Sequence, residues 1–102
     1  MASTKGYLDY LKEQLSGMEG VSWRAMMGEY LLYVRGRLVG GVYDDRLLVK
    51  PTPAAQALLP AAARERPYPG AKEMLLVEDV DDAEALTRLL TTLAEALPPP
   101  PP

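Results

Sequence analysis

The chain has 102 residues, 48% of them hydrophobic and 25% charged, which is ordinary usage for one compact domain and too little length for two. It holds no Cys and no His, so disulfides, thiolate or imidazole metal sites and Cys- or His-centred catalysis are excluded. The formal charge is −3, with seven Lys/Arg against six Asp/Glu in residues 1–50 and four against eight in residues 51–102; this is not the basic excess of a nucleic-acid-binding domain, and direct nucleic-acid binding is not expected.

The opening stretch MASTKGYLDYLKEQL is polar and lacks the apolar centre of a signal peptide. Apolar runs such as Ala61–Ala63 and Met74–Val77 are far too short to cross a bilayer. A cytoplasmic location without membrane contact is therefore expected.

Tyr7, Leu8, Leu11 and Leu15 recur at helical spacing and predict a first helix over Thr4–Ser16, with Ser3 or Thr4 as its cap and Gly17 as its stop. From Ser22 the period changes to two. Ser22–Met27, Glu29–Val34, Leu38–Tyr43 and Leu47–Lys50 read as short strands, punctuated by Gly28, Arg35-Gly36 and Asp44-Asp45. These turn residues tolerate positive φ, so the strands form an antiparallel meander. On the second strand Tyr30, Leu32 and Val34 point one way and Leu31 and Tyr33 the other. One face packs on helices, and the other requires a second cover or a partner.

Thr52 and Pro53 cap and open a short helix over Ala54–Leu59. Arg64–Gly70, with two prolines and a glycine, reads as a loop, and Lys72–Val77 as a further strand. Asp81-Asp82-Ala83-Glu84 supplies the cap and acidic first turn of a last helix over Asp82–Ala96, whose inward stripe is Leu86, Leu89, Leu90, Leu93 and Leu97. The expected fold is α+β, an antiparallel meander sheet of four to five strands flanked by helices in the order α-β-β-β-β-α-β-α. Residues 1–97 form one domain, and residues 98–102 an extended, disordered polyproline tail.

The stretch from Trp23 to Tyr33, WRAMMGEYLLY, and the stretch from Arg35 to Lys50, RGRLVGGVYDDRLLVK, together resemble the N-terminal domain of the TfoX/Sxy competence regulators. The resemblance rests on the Arg24-x-Met26-x-Gly28 start, the Gly36 turn, the Asp-containing turn and the strand ending at Lys50, and extends through Tyr68–Leu75 to about Leu97. It implies an antiparallel sheet with flanking helices, Arg24, Met26, Gly28 and Gly36 as structural motif residues, and no catalytic residue. It also implies a regulatory role in natural transformation through the transcription machinery, alongside the cyclic-AMP receptor protein. Full-length members carry a second, C-terminal domain; the expectation for these 102 residues is a stand-alone domain.

Tyr33, Arg35, Arg37, Arg46 and Lys50 lie in or beside the meander and are the candidate partner-binding residues, the alternative being solvated charges that keep sheet edges apart. Arg24, between apolar neighbours, reads as a buried guanidinium tied to Glu29 or Asp45, or else as a recognition residue. Glu78, Asp79, Asp81, Asp82 and Glu84 lack the spacing of a calcium loop and suit a helix N-terminus. Gly40-Gly41 lacks a phosphate-loop pattern and marks a bulge or close helix packing. Neither a cofactor nor a metal is expected. The leading reading is a non-catalytic protein-interaction module, with a second copy of the chain as an admissible partner. The alternative is a small-molecule-binding protein or enzyme with a pocket between sheet and helices, for which Tyr43 and Lys50 are the nearest reactive pair.

Overall fold

A computed structural model describes residues 3–100. Met1 and Ala2 of the expected domain, and Pro101 and Pro102 of the expected tail, lie outside the described residues. Helix α1 spans Lys5–Gln14; strands β1 (Val21–Met26), β2 (Glu29–Val34), β3 (Arg37–Tyr43) and β4 (Arg46–Val49) follow; then come α2 (Pro53–Leu58), β5 (Arg64–Glu65), β6 (Met74–Leu76) and α3 (Ala83–Glu95). The strands make one antiparallel sheet in the order β1-β2-β3-β4-β6-β5. This is the expected α+β meander with one strand more than the upper count. The addition is β5, inside the segment read as a loop. Its two residues pair through the backbone, Arg64 opposite Leu75 and Glu65 opposite Met74, so no apolar alternation marks it in the sequence.

The turns follow the residue chemistry. Met27-Gly28, Arg35-Gly36 and Asp44-Asp45 each have two successive positive φ values, 50° and 85°, 51° and 78°, 51° and 57°. Such pairs make type I′ turns, whose twist matches that of the strands they join. The helices start where their caps predict: Thr4, Thr52 and Asp82 accept from the backbone N–H of Tyr7, Ala55 and Ala85. Asp82 thereby accounts for part of the acidic run, and Asp79 accepts from the Asp81 backbone N–H.

All three helices lie on one face of the sheet. Leu11 and Leu15, Ala55, and Leu86, Leu90 and Leu93 form a single core with Leu32, Val34, Val42, Leu47 and Val49. Leu32, Val42, Leu47 and Val49 have no exposed surface, and each such aliphatic side chain contributes about 1.5–3 kcal/mol of transfer free energy. Trp23 and Tyr30 are half-buried against the same core. Gly40 is on this side, where a side chain would run into the Leu48 carbonyl, and β2 and β3 shift register between Leu32 and Tyr33. The register shift is the bulge expected beside the glycine pair, whereas the close helix packing expected as its alternative is not what surrounds Gly40: the close approach there is to the β4 backbone.

After α3 the chain reaches back toward the sheet. A Cβ on Gly36 would meet the Pro100 ring at 3.2 Å, so this part of the proline run lies against the β2–β3 turn. Pro100 belongs to the run expected as an extended tail, and its contact with Gly36 is a long-range one that local sequence does not show.

Candidate functional site

Among the described residues, the second face of the sheet carries no helix. Cross-strand register places Arg24 opposite Leu31 and Leu31 opposite Gly41, with Tyr33 opposite Leu38 on the same side. Leu31, Tyr33 and Leu38 are half-buried and stand outside the helix-side core. Toward β6, Leu48 pairs with Leu76 on this face, and Leu48 is fully buried without belonging to that core. The apolar strip on this face is therefore partly exposed at Leu31, Tyr33 and Leu38 and already covered at Leu48.

At the end of the strip near the Met27-Gly28 and Asp44-Asp45 turns, the face deepens into a groove of about 890 Å³. Its floor includes Met26 and Tyr43, its near wall Glu29 and Asp44, and its far wall the loop Arg66–Pro69. Gly41 makes the floor possible. A Cβ there would lie 2.7 Å from the Tyr30 carbonyl oxygen and 2.8 Å from the Tyr43 ring, so only glycine leaves room for that ring. Tyr68 stands over Tyr43 with ring centroids 6.4 Å apart at 56°, a tilted aromatic pair. Burial, and then the neighbouring Tyr68, Glu29 and Tyr33, raise the Tyr43 phenol above the usual tyrosine range.

Both walls are held by hydrogen bonds. Glu29 Oε1 accepts from the Ser3 backbone N–H and hydroxyl at 2.8 and 2.6 Å, while Oε2 accepts from the Asp44 N–H at 2.9 Å. Asp45 accepts from the Thr4 N–H at 2.7 Å and donates its own N–H to Ser3 Oγ. The opposite wall is pinned by Arg46, which pairs with Glu65 at 2.7 Å and donates through Nε to the Tyr43 carbonyl at 3.0 Å. Arg66 donates to the Ala71 carbonyl at 2.6 Å. Between these fixed walls Met27 exposes 98% of its surface and Tyr68 53%.

The five candidate partner-binding residues do not form one patch. Tyr33 lies on the open face. Arg37 pairs with Val34, so it belongs to the helix side, where its Nε is buried without a partner among the described residues. Arg35 occupies the β2–β3 turn, its backbone N–H bound to the Gly20 carbonyl and its stem against Gly20. Lys50 is half-buried at that same end of the sheet. Arg46 is at the other end, roughly 20 Å away at about 3.3 Å per strand residue, and its guanidinium is already engaged by Glu65 and the carbonyls of Arg66 and Pro67. Arg24 corrects the expectation of a buried ion pair. It is exposed on the outermost strand, and the carboxylates expected to hold it are instead occupied by Ser3, Thr4 and Asp44. Met26 lines the groove, whereas Gly28 and Gly36 supply left-handed turn positions.

A second, smaller cleft of about 360 Å³ lies between α2 and α3, bordered by Leu58, Asp79, Arg88 and Leu89. Tyr43 and Lys50, the pair considered for chemistry, sit at opposite ends of the β3–β4 hairpin.

The TfoX N-terminal domain family matches residues 13–94. The chain belongs to that family. Membership carries the coarse reading of a competence-related regulatory domain. The chain is also 37% identical over 103 residues to a protein of Spirochaeta aurantia described as an uncharacterized 12.7 kDa protein in the trpE 5′ region, covering all of this chain and 90% of that one. No solved structure matches it significantly. In this TfoX-family domain the sequence singles out Tyr43 only for chemistry with Lys50, and it does not single out the groove residues Met27, Pro67 and Tyr68, which come from the β1–β2 turn and a distant loop. The available signals were Met27 at a turn position that suits Asn or Asp better, and an aromatic residue set between prolines at Pro67-Tyr68-Pro69.

Proposed function

We propose that this TfoX-family domain is a non-catalytic module of transcriptional control in DNA competence, acting in the cytoplasm by binding a protein partner on the open face of its sheet and the adjoining groove. One observation carries the reading: an apolar strip of Leu31, Tyr33 and Leu38, without a helix over it, runs into a groove that displays Met27 and Tyr68. Aromatic residues and methionine are the side chains that protein interfaces concentrate. The absence of His and Cys supports a binding role over catalysis. The rigid walls support it as well, since a preformed surface loses little entropy when it is covered.

The test uses Tyr33→Ala and Tyr68→Ala in cells deleted for the chain. Folded variants that no longer restore competence-gene expression, and that no longer retain the partners captured by the wild type, support the reading. Full restoration by both variants contradicts it. A second reading is favoured by the groove's volume, which is within the range of small-ligand sites. Binding of a small molecule that protects Tyr43 and Tyr68 while capture of partners by Tyr33→Ala stays intact would select it.

A further inference from the structure

Independently of that reading, we infer that two copies of this chain pair through β1, edge to edge and antiparallel, about a two-fold axis at Trp23. β1 is the outermost strand on its side, and among the described residues no strand pairs with its free edge. The opposite edge, β5, is only two residues long. Natural edge strands are normally blunted by lysines, prolines, bulges or brevity. β1 has none of these: six residues, VSWRAM, run in unbroken register with β2, and Arg24 is the only charge.

Which main-chain groups face outward follows from the turn. Met26 and Glu29 flank a two-residue type I′ turn, so they form a hydrogen-bonded pair. Alternation then makes Arg24–Leu31 and Ser22–Tyr33 hydrogen-bonded pairs too. The series continues to Gly20, whose carbonyl accepts from the Arg35 N–H at 2.8 Å. The N–H and C=O groups of Val21, Trp23 and Ala25 therefore point to the open edge.

That set is self-complementary. With the axis at Trp23, Trp23 exchanges both bonds with its symmetry mate, and Val21 exchanges both with Ala25 of the second copy in each direction. Every outward donor and acceptor of the three residues is satisfied. On the open face Arg24 then stands opposite Ser22 of the second copy, so the two guanidinium groups do not face each other. Shifting the axis to Arg24 would set like charges directly opposite, which is destabilising. On the helix side, the half-buried Trp23 of each copy gains an aromatic neighbour. The result is a continuous sheet of twelve strands, with the groove of each copy bordering one end of the junction at Met26.

Sedimentation equilibrium on the full chain tests this, with a dimer of twice 11.2 kDa expected. Ala25→Pro removes one outward N–H while leaving the β1–β2 bonds in place, and Ala25→Lys adds the charge that blunts edges; both are expected to be folded monomers by circular dichroism. Because the chain has no Cys, the register can be read directly. Ser22→Cys and Arg24→Cys, mixed and oxidised, are expected to crosslink to one another, since a non-hydrogen-bonded pair has Cα atoms about 4.5 Å apart, within disulfide range. Either variant alone is expected not to crosslink. A wild-type monomer up to about 1 mM, a dimer that persists in both Ala25 variants, or crosslinking confined to the single variants would overturn the proposal.

Discussion

The two faces of the sheet are built from alternate residues of the same strands, yet they end in different states. Leu32 and Leu31 are neighbours on β2; the first has no exposed surface under the helices, and the second remains half-buried on the open side. The helix side is closed by leucines from α1 and α3 whose spacing presents one continuous stripe. The open side is closed only in part, by the Tyr43–Tyr68 pair and the loop Arg66–Pro69 at one end. The difference shows that alternation specifies two surfaces, while the number and placement of helices decides which of them becomes core. The uncovered surface keeps apolar groups whose burial is left for another molecule.

The largest expected effect breaks the covered face. Leu32→Ala should lower unfolding free energy by about 2–5 kcal/mol, whereas Leu31→Ala should cost about 1 kcal/mol, both measured by urea denaturation. Equal losses would mean that the open face is as well packed as the core. Next comes Gly41→Ala. Its methyl group would press on a carbonyl that cannot move without opening the β2–β3 ladder, and a loss of about 1–3 kcal/mol is expected together with a shift in the Tyr43 aromatic signals.

A smaller effect is expected from alkali. Tyr7, Tyr10 and Tyr43 all have phenols raised above the ordinary value: Tyr7 by burial and then Asp45, Tyr10 by its hydrogen bond to Asp81, Tyr43 by burial and then Tyr68. The folded chain thus keeps these protons to higher pH than the unfolded chain does. Stability should be complete below about pH 10 and fall as pH rises through the folded-state values. Tyr43→Phe should make that fall shallower in thermal melts taken across the range; an unchanged slope would mean that Tyr43 is not protected. The smallest effect belongs to Arg24→Ala, expected within about 0.5 kcal/mol of wild type because an exposed side chain is removed. A loss of several kcal/mol would restore the buried ion pair.

Much of this comparison is legible in the sequence. The three turns are marked by Gly28, Gly36 and Asp44-Asp45, and the alternation of Tyr30, Leu32 and Val34 against Leu31 and Tyr33 separates the two faces. What local pattern does not carry is position within the sheet. Arg24 has apolar neighbours in sequence, but β1 is an edge strand and the side chain points to the open face, so those neighbours never enclose it. Arg35, Arg37 and Arg46 are close in sequence but divided between two ends and two faces by one hairpin. The groove depends on a loop more than twenty residues beyond the Asp44-Asp45 turn folding back onto Tyr43, a contact that no period or motif announces.

The central claim, that the open face and its groove meet the partner, is tested most directly by photo-crosslinking in cells. A photoreactive residue is placed in turn at Tyr33, at Tyr68 and, for comparison, at the exposed Arg88 on α3. The account predicts one protein adduct shared by the Tyr33 and Tyr68 positions and absent from the Arg88 position. Adducts formed from Arg88 but from neither tyrosine position would contradict it.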